Sequence, residues 1–351
     1  MRALKLESPG VAAVTSTPIP PLRSPTDLLI KTSAVALNPT DWKHMEWASG
    51  STTMGCDFSG TIVSLGSSVN SSFKEGDRVF GAVHGSNVLG HDDGAFAEYV
   101  LCDENLCMRV PEGMGFEEAA TLGVGVATVG QGMYQKMGLP WPRSEESENV
   151  EENSMGAILI YGGSSAMGAY GIQFAKLSGF EVITTCSPRN FEYVKSLGAD
   201  LILDYKSPTC AAEIRKHTQG KLYYAWDTIS EPSSAQICAD ALAVSEPGGQ
   251  MLHYGALVPV TFPREDVETS FSAVYSAIGK AWQMRELSVP ARREDYEFMA
   301  KWVRTAEALL AQGKVRAHRP EVRDGGLEGI LEGLEDLKNG KVSGVKLVYK
   351  V

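Results

Sequence analysis

The chain of 351 residues lacks the apolar segments of a membrane or exported protein. No uninterrupted apolar run approaches the roughly 20 residues that a bilayer-spanning helix needs. The N-terminal stretch MRALKLESPGVAAV contains no apolar run of signal-peptide length. The six cysteines have no paired spacing, which is typical of reduced thiols rather than of a disulfide framework. We therefore expect a cytoplasmic protein.

Positive charge is also scarce. The chain has 32 Lys and Arg against 43 Asp and Glu, which gives a formal net charge of −11 and a pI of about 5.1. Nucleic acids and anionic membranes carry the same sign, so this balance argues against both as partners. Hydrophobic residues make up 43% of the chain, which is ordinary for a globular protein with buried cores.

Glycine, by contrast, is abundant, with 36 residues that often mark turns. About the first 110 residues alternate short β-like runs with Gly, Pro and Asp turns, which predicts an antiparallel, barrel-like module. From residue 157 onward, strand and helix patterns alternate, which predicts an α/β region with a parallel, doubly wound sheet. Between them, the acidic stretch LPWPRSEESENVEENSMG is interpreted as a solvated linker. A chain of this length and pattern favours two domains.

The stretch AILIYGGSSAMG joins a predicted buried strand to a predicted helix. A dinucleotide pyrophosphate needs backbone N–H groups and a helix N-terminus close by, and only small residues permit that approach. Gly162 and Gly163 form the turn, and Gly168 lies where the helix packs on the strand. The turn departs from G-x-G-x-x-G, but its strand-to-helix context favours a dinucleotide site over a ligand-free connection. The residues expected at the pyrophosphate are Gly163, Ser164, Ser165 and Ala166.

The end of the second strand, TTCSPRNF, lacks the acidic residue that would bind a ribose 2′-hydroxyl. It offers Ser187, Arg189 and Asn190 instead. A guanidinium and a hydroxyl can bind a 2′-phosphate through charge-assisted hydrogen bonds. The pattern therefore favours NADPH over NADH, and the alternative is an exposed arginine at the start of a helix.

These motifs together give the chain, over nearly its whole length, a resemblance to the medium-chain dehydrogenase/reductase superfamily. The resemblance implies a GroES-like antiparallel β-barrel catalytic domain over residues 1–124, completed by 284–351. It also implies a Rossmann NADPH-binding domain over residues 125–283. The motifs that carry it are ALNPTDWK (36–43), MGCDFSGTIVSLGSSVNSSFKEGDRVFG (54–81), GAFAEYV (94–100) and GGSSAMG.

The zinc ligands of the metal-dependent superfamily members have no counterpart here. Those members resemble one another in a cysteine where this chain has Pro39, and in a His-Glu pair where it has Cys56 and Asp57. A catalytic zinc takes three protein ligands, and Cys56 with Asp57 does not supply them. The four-cysteine structural lobe is also missing, so no metal is expected. Without a Lewis acid, reduction of an activated C=C bond is favoured over alcohol oxidation.

Within the superfamily, NPTDWK, YGGSSA, TTCSPRNF, LDY and KVSGVKLV resemble the trans-acting enoyl reductases of fungal polyketide biosynthesis. That resemblance implies NADPH-dependent hydride transfer to the β-carbon of an α,β-unsaturated polyketide thioester on a synthase acyl carrier domain. One alternative is a stand-alone NADPH-dependent quinone or alkenal reductase, and another is a non-catalytic NADPH-binding protein. Whether the protein is a monomer or a homodimer stays open.

The same resemblance implies roles for individual residues. Lys43 would stabilise the enolate oxygen, and Thr128 would line the pocket over the nicotinamide, although a surface lysine and a structural threonine are the alternatives. The proton donor is left open between Tyr254, His253 and water. The further cofactor residues implied are Thr40, Lys43, Tyr205, Ala256, Leu257, Val342 and Ser343, and the substrate residues are Thr128, Val129, Phe271, Ser272, Ala273, Val274 and Tyr275.

Overall fold

The computed structural model describes residues 1–48, 50–69, 72–143, 155–244 and 251–351. In chain order, its strands are β1 (Arg2–Ser8), β2 (Val11–Ser16), β3 (Asp27–Ala36), β4 (Thr52–Thr53), β5 (Asp57–Leu65), β6 (Arg78–Ala82), β7 (Tyr99–Asp103), β8 (Cys107–Arg109), β9 (Ala157–Tyr161), β10 (Glu181–Thr185), β11 (Leu201–Leu203), β12 (Leu222–Asp227), β13 (His253–Ala256), β14 (Glu268–Phe271), β15 (Trp282–Met284), β16 (Leu287–Val289), β17 (Pro320–Arg323) and β18 (Lys346–Lys350).

The helices of the described residues are mostly short. They are α1 (Pro39–Met45), α2 (Phe116–Ala119), α3 (Gly123–Val129), α4 (Ala166–Leu177), α5 (Phe191–Ser196), α6 (Cys210–His217), α7 (Pro232–Ala241), α8 (Arg293–Ala311) and α9 (Gly326–Lys338). A π-helical segment, Gly130–Lys136, follows α3, and 3-10 turns span Glu104–Leu106, Pro188–Asn190 and Val274–Ile278.

The chain forms two compact units. Unit 1 comprises Met1–Ala127 and Val274–Val351, and unit 2 comprises Thr128–Ala273. The first division falls within α3. The domain boundaries inferred from the sequence remain predictions. The predicted acidic linker lies mostly at residues 144–154, outside the described residues.

Unit 1 is built mainly from antiparallel strands. One sheet has the order β17-β18-β3-β5-β6-β8, with β7 also paired to β3, and a smaller sheet has the order β2-β1-β4. Within the described part of the larger sheet, β17 and β18 form the parallel pair, and α9 crosses between them. The fold class predicted for this region, a GroES-like antiparallel β module, is confirmed.

A buried ion pair joins two strands of unit 1. The carboxylate of Asp57, the first residue of β5, accepts a hydrogen bond from Nζ of Lys346, the first residue of β18. Its Oδ2 also accepts from Asn38 Nδ2 at 2.9 Å, and its Oδ1 accepts from the Val124 N–H at 2.6 Å. Both charged side chains are almost completely buried, and such a pair is tolerated only when each charge is compensated. Asp57 therefore ties the residue preceding α1 and the start of α3 to β5.

Unit 2 is a six-stranded parallel sheet with the order β11-β10-β9-β12-β13-β14. The central strand β9 is fully buried, as its apolar run AILIY predicts. The chain proceeds from β9 to one side through β10 and β11, and continues on the other side from β12 to β14. The predicted Rossmann-like, doubly wound sheet is confirmed. The strand order reverses between β9 and β12, which is where such sheets bind ligands.

Small residues let α4 lie close to the sheet of unit 2. A Cβ added to Gly168 would lie 2.3 Å from the carbonyl oxygen of Gly162, and one added to Gly171 would lie 2.6 Å from the Trp226 ring. Either separation is far inside van der Waals contact. Glycine at these positions therefore allows the close packing of helix on strand that a dinucleotide-binding turn needs.

The buried ion pair generates a stability prediction. Lys346→Met removes the cation and leaves Asp57 buried without charge compensation, so we expect the free energy of unfolding to fall by about 3–5 kcal/mol. The double variant Asp57→Asn/Lys346→Met removes both charges and should lose markedly less. Urea unfolding at neutral pH measures both changes. Equal losses in the single and double variants would show that charge compensation is not what stabilises this contact.

Candidate functional site

The predicted cofactor residues of unit 2 lie at the carboxyl ends of its strands. Residues 163–166 follow β9, residues 187–190 follow β10, and Tyr205 follows β11, while Ala256 ends β13 and Leu257 comes next. Because the strands are parallel, these ends share one edge of the sheet. The structure therefore brings together segments that are separated along the chain.

The turn between β9 and α4 is shaped by its glycines. Gly162 has φ of +81°, a conformation that glycine adopts without strain. A Cβ on Gly163 would lie 2.1 Å from Thr184 Oγ1. Ser165 caps α4, with its Oγ accepting from the Gly168 N–H at 3.0 Å. The first N–H groups of a helix lack intrahelical partners and carry partial positive charge, so this turn fits a dinucleotide pyrophosphate.

The three residues after β10 that are predicted to bind the 2′-phosphate differ in their exposure. Arg189 is exposed and forms no ion pair with the described residues, and Ser187 is half-buried. Asn190 is buried, and its N–H donates to the Ser187 carbonyl at 2.9 Å. The edge therefore presents the hydroxyl and the guanidinium, while the amide side chain is turned into the protein.

Tyr205, one of the predicted cofactor residues, has an aromatic ring that is partly open to solvent. Tyr205 is 36% exposed, and its ring centroid lies 6.4 Å from that of Tyr161 at the end of β9. Lys206 Nζ lies 5.8 Å from the Tyr205 ring centroid. The ring is thus partly accessible, as a planar contact for a nucleotide requires.

Asp227 is a residue of this edge that the sequence analysis missed. Its buried carboxylate ends β12 and accepts two backbone N–H groups of the following loop, at 2.9 and 3.0 Å. It also accepts hydroxyl hydrogen bonds from Tyr254 and Ser234. Ser230, in that loop, accepts from the Leu257 N–H at 2.8 Å. Asp227 thereby positions the backbone after β12 and β13. An aspartate ending the apolar run LYYAWD was the available signal.

The two side chains of β13 considered as proton donors are engaged within the sheet. Tyr254 is buried and donates to Asp227 at 2.8 Å, and burial raises the pKa of Tyr254. His253 is buried with Nε2 3.0 Å from Ser270 Oγ, and burial lowers the pKa of His253. Both groups have structural partners that account for their positions.

The remaining predicted residues of unit 2 differ in accessibility. Thr128 and Val129 in α3 are both buried, and Val129 is completely enclosed. Phe271 at the end of β14 is 49% exposed, whereas Ser272 is buried with its N–H donating to the Ala256 carbonyl at 3.0 Å. The next residue, Ala273, is half-buried. Among these substrate residues, Phe271 presents the largest accessible surface.

In unit 1, α1 carries two of the predicted residues, and they differ in exposure. Lys43 is exposed, with Nζ 5.6 Å from the Trp42 ring centroid. Thr40 Oγ1 forms a hydrogen bond with the Tyr275 hydroxyl and lies 3.1 Å from His44 Nδ1. The structure therefore joins Thr40 to Tyr275, which the sequence analysis assigned to cofactor and substrate respectively.

Thr40 and Tyr275 line a small pocket in unit 1 with a cavity volume of about 30 Å³. Val274, another predicted substrate residue, also lines it, whereas Lys43 does not. The walls are mainly apolar, with contributions from Val83, Leu106, Met108, Val124, Ile278, Met299 and Val303. This apolar lining, with few polar groups, disfavours a highly charged ligand.

The last two predicted cofactor residues, Val342 and Ser343, lie between α9 and β18. Val342 and Ser343 are both half-buried. Val342 packs against a hydrophobic cluster of unit 1 that includes Leu334 and Tyr349. This packing holds the segment in place, and the cofactor role of the two residues remains a prediction.

Asp41, within the NPTDWK motif, is buried in α1, the helix that carries Thr40 and Lys43. Its Oδ2 accepts from the Asn38 N–H at 2.7 Å, while its Oδ1 has no partner among the described residues. Burial, reinforced by the nearby Asp57, raises the pKa of Asp41 to about 7. Burial also raises the pKa of the neighbouring Cys56 thiol. The motif therefore contains a carboxyl group that titrates near neutral pH.

Two features are absent from the described part of the chain. Within residues 1–48, 50–69, 72–143, 155–244 and 251–351, no three or more His, Cys, Asp or Glu side chains are grouped to hold a metal ion. Over the same ranges, no helix combines the length and the apolar character needed to cross a membrane.

The chain is similar to known dehydrogenases along most of its length. Residues 24–112 match the alcohol dehydrogenase GroES-like domain, and residues 166–303 match the zinc-binding dehydrogenase family. The trans-enoyl reductase resD of Aspergillus sclerotiorum is 43% identical, covering 100% of both chains. The trans-enoyl reductase ACTTS2 of Alternaria alternata is also 43% identical, covering 100% of this chain and 98% of its own.

Among solved structures, the CurK enoyl reductase superposes with a TM-score of 0.72 at 19% identity. The match covers 99% of this chain and 98% of CurK. At this level of identity the likeness concerns the fold.

The raised pKa of Asp41 predicts a pH-dependent stability. Folded protein retains a proton that the unfolded chain, with a carboxyl pKa near 3.8, has released. Stability from this group is therefore greatest below about pH 4 and falls as the pH rises to about 7, by up to about 1.4 kcal/mol per pH unit. Asp41→Asn should abolish that fall, whereas Asp240→Asn, at an exposed carboxylate, should not. Urea unfolding between pH 4.5 and 7.5 tests this, and a wild-type-to-Asp41→Asn difference independent of pH would contradict it.

Proposed function

The chain belongs to the trans-enoyl reductases, oxidoreductases of the medium-chain dehydrogenase/reductase superfamily, and from this premise we propose its specific reaction. The protein reduces the C=C bond of an α,β-unsaturated polyketide thioester carried on a synthase acyl carrier domain, with NADPH as the reductant. The observation that carries this proposal is 43% identity over the whole chain to a trans-enoyl reductase. The protein acts as a monomer or a homodimer, and its partner is the acyl carrier domain of a polyketide synthase.

The fold takes an NAD(P) cofactor, and the edge of the unit 2 sheet has residues suited to hold it. The turn at residues 162–168 would hold the pyrophosphate through backbone N–H groups and the start of α4. Ser187 and the guanidinium of Arg189, which forms no ion pair with the residues that the structure describes, would bind a 2′-phosphate. When bound, the nicotinamide supplies the hydride. No acidic side chain stands at residues 187–190 to repel a 2′-phosphate, which supports NADPH.

The residues of this chain have to stabilise the negative charge that develops on the thioester oxygen. Lys43 forms no ion pair with the described residues, so its ammonium is available to a substrate carbonyl. A positioned cation at a developing oxyanion is a large term in such reactions. Thr128 contributes a hydroxyl for the same oxygen or for the cofactor carboxamide. No metal is assigned to this step.

The proposed activity is tested by following NADPH absorbance with the wild type and a set of acceptors. An enoyl-pantetheine and an enoyl acyl carrier protein should be reduced, whereas free quinones and alkenals should be reduced at least about tenfold more slowly. The reverse preference would establish a stand-alone quinone or alkenal reductase. Binding of NADPH without turnover of any acceptor would establish a binding protein.

In the same assay, Lys43→Met should lower kcat by about 10²-fold to 10³-fold at saturating NADPH, because the oxyanion loses its cation. The matched control is Lys301→Met, at an exposed lysine of α8, which should retain wild-type kcat. Equal kcat for Lys43→Met and the wild type would leave Lys43 as a surface residue.

Arg189→Ala tests the coenzyme preference. Charge-assisted hydrogen bonds contribute about 1.5–3 kcal/mol, so the ratio of kcat/KM for NADPH over NADH should fall about 10-fold to 100-fold. Most of that change should be a higher KM for NADPH, with kcat preserved. Lys195→Ala, which removes the same charge from the last turn of α5, should leave the ratio unchanged. A wild type that prefers NADH, or an unchanged ratio in Arg189→Ala, would refute the assignment.

A further inference from the structure

The hydroxyl groups that line the apolar pocket of unit 1 lie next to each other. Of the described residues that line it, Thr40 and Tyr275 have hydroxyls, and these two groups are hydrogen-bonded to each other. The remaining lining is aliphatic apart from the buried Cys56 thiol. A reaction in this pocket that needs a proton therefore has one hydroxyl pair from which to take it.

The direction of the hydrogen bonds follows from His44. Its Nδ1 lies 2.9 Å from the Thr40 carbonyl oxygen and 3.1 Å from Thr40 Oγ1. A carbonyl oxygen only accepts, so Nδ1 carries the hydrogen and is shared between the two Thr40 oxygens. Thr40 Oγ1 is then an acceptor towards His44 and directs its own hydrogen to the Tyr275 oxygen. The Tyr275 proton is thereby left for a group in the pocket.

The surroundings of His44 favour the tautomer that carries its hydrogen on Nδ1. Burial lowers the pKa of His44, which keeps the imidazole neutral at physiological pH. Its Nε2 is buried without a hydrogen-bond partner among the described residues, so no group there would accept a hydrogen bond from an Nε2–H. The tautomer with hydrogen on Nδ1 is therefore the one that the surroundings support.

The Tyr275 ring is held in place by three aromatic neighbours. His84 stacks on it with ring centroids 4.0 Å apart and planes at 17°, and the centroids of Trp282 and His44 lie 5.6 and 5.4 Å away. Burial lowers the pKa of His84 to about 3 and raises the pKa of Tyr275, so the stack stays uncharged and the hydroxyl stays protonated. A side chain packed in this way presents its proton from a defined position.

We propose that Tyr275 is the general acid that protonates the substrate α-carbon, with Thr40 and His44 as positioning residues behind it. This role rests on the proposed enoyl reduction. Hydride addition at the β-carbon leaves an enolate. The electron pair of its carbon–carbon double bond takes the Tyr275 proton, so the O–H bond breaks and an α-C–H bond forms. The Thr40 hydroxyl stabilises the resulting phenolate, which regains a proton from solvent water.

Tyr275→Phe tests this role because it removes the oxygen and keeps the ring that stacks on His84. A positioned acid contributes about 10²-fold to 10⁴-fold, so kcat should fall by at least about 10²-fold while the Kd of NADPH is unchanged. With an α-methyl enoyl thioester, the wild type should give one α-configuration. The variant should give both configurations, because water then delivers the proton. This stereochemical readout would not respond to a merely structural role.

The matched control is Tyr296→Phe. Tyr296 is another half-buried tyrosine of unit 1, its hydroxyl bonded to Asp103 and Asn105, and it does not line this pocket. Its variant should keep wild-type kcat and a single α-configuration. Thr40→Val, which leaves Tyr275 in place, should lower kcat about tenfold without mixing configurations, and Thr40→Ser should restore it.

Two failures can be told apart. Retention of kcat and of a single α-configuration by Tyr275→Phe would overturn the assignment of Tyr275 while the enoyl reductase function stands. Inactivity of the wild type towards every enoyl thioester would overturn the proposed function and, with it, this role. Equal kcat for Thr40→Val and the wild type would overturn the part assigned to Thr40.

Discussion

The negative charge of the buried Asp57 carboxylate has to be balanced by other groups of unit 1. The groups that bind this carboxylate also position the elements around the pocket. Lys346 supplies the opposite charge, Asn38 donates from the residue before α1, and the Val124 N–H donates from the start of α3. A buried carboxylate without such partners would cost several kcal/mol. The requirement therefore links the helix that carries Thr40 and Lys43 to the strands beneath it, although Asp57 itself takes no part in the proposed chemistry.

Unit 2 relies on backbone shape for one part of its proposed ligand and on side chains for another. The glycine turn leaves N–H groups open to a pyrophosphate whatever the attached nucleotide carries. In the proposed function, discrimination between the two coenzymes is assigned to Ser187 and Arg189, which are accessible at the end of β10. Asp227 contributes differently, because its four hydrogen bonds, from Ile229, Ser230, Ser234 and Tyr254, hold the loops after β12 and β13 in place.

In the proposed mechanism, the pocket of unit 1 supplies a proton from its own side chains. Its apolar walls lower the local dielectric, which strengthens every hydrogen bond and charge interaction inside it. Under those conditions a neutral tyrosine, a threonine and a neutral histidine can form an ordered chain of donors. Asp41, held nearby with a raised pKa, adds a carboxyl group that is partly neutral at physiological pH.

The glycine turn, the absent acid after β10 and the alternation of strands and helices could be predicted from sequence, because each depends on neighbours within a few residues. Short elements such as β17, only four residues long, carry too little periodicity to be predicted. Tertiary structure alone decided the partners of polar groups. Tyr275 meets Thr40 across 235 positions, and Lys346 meets Asp57 across 289. Local pattern sets the strands and helices, but a buried hydroxyl or carboxylate finds its partner only when the fold brings distant segments together and removes the water that would otherwise bind it.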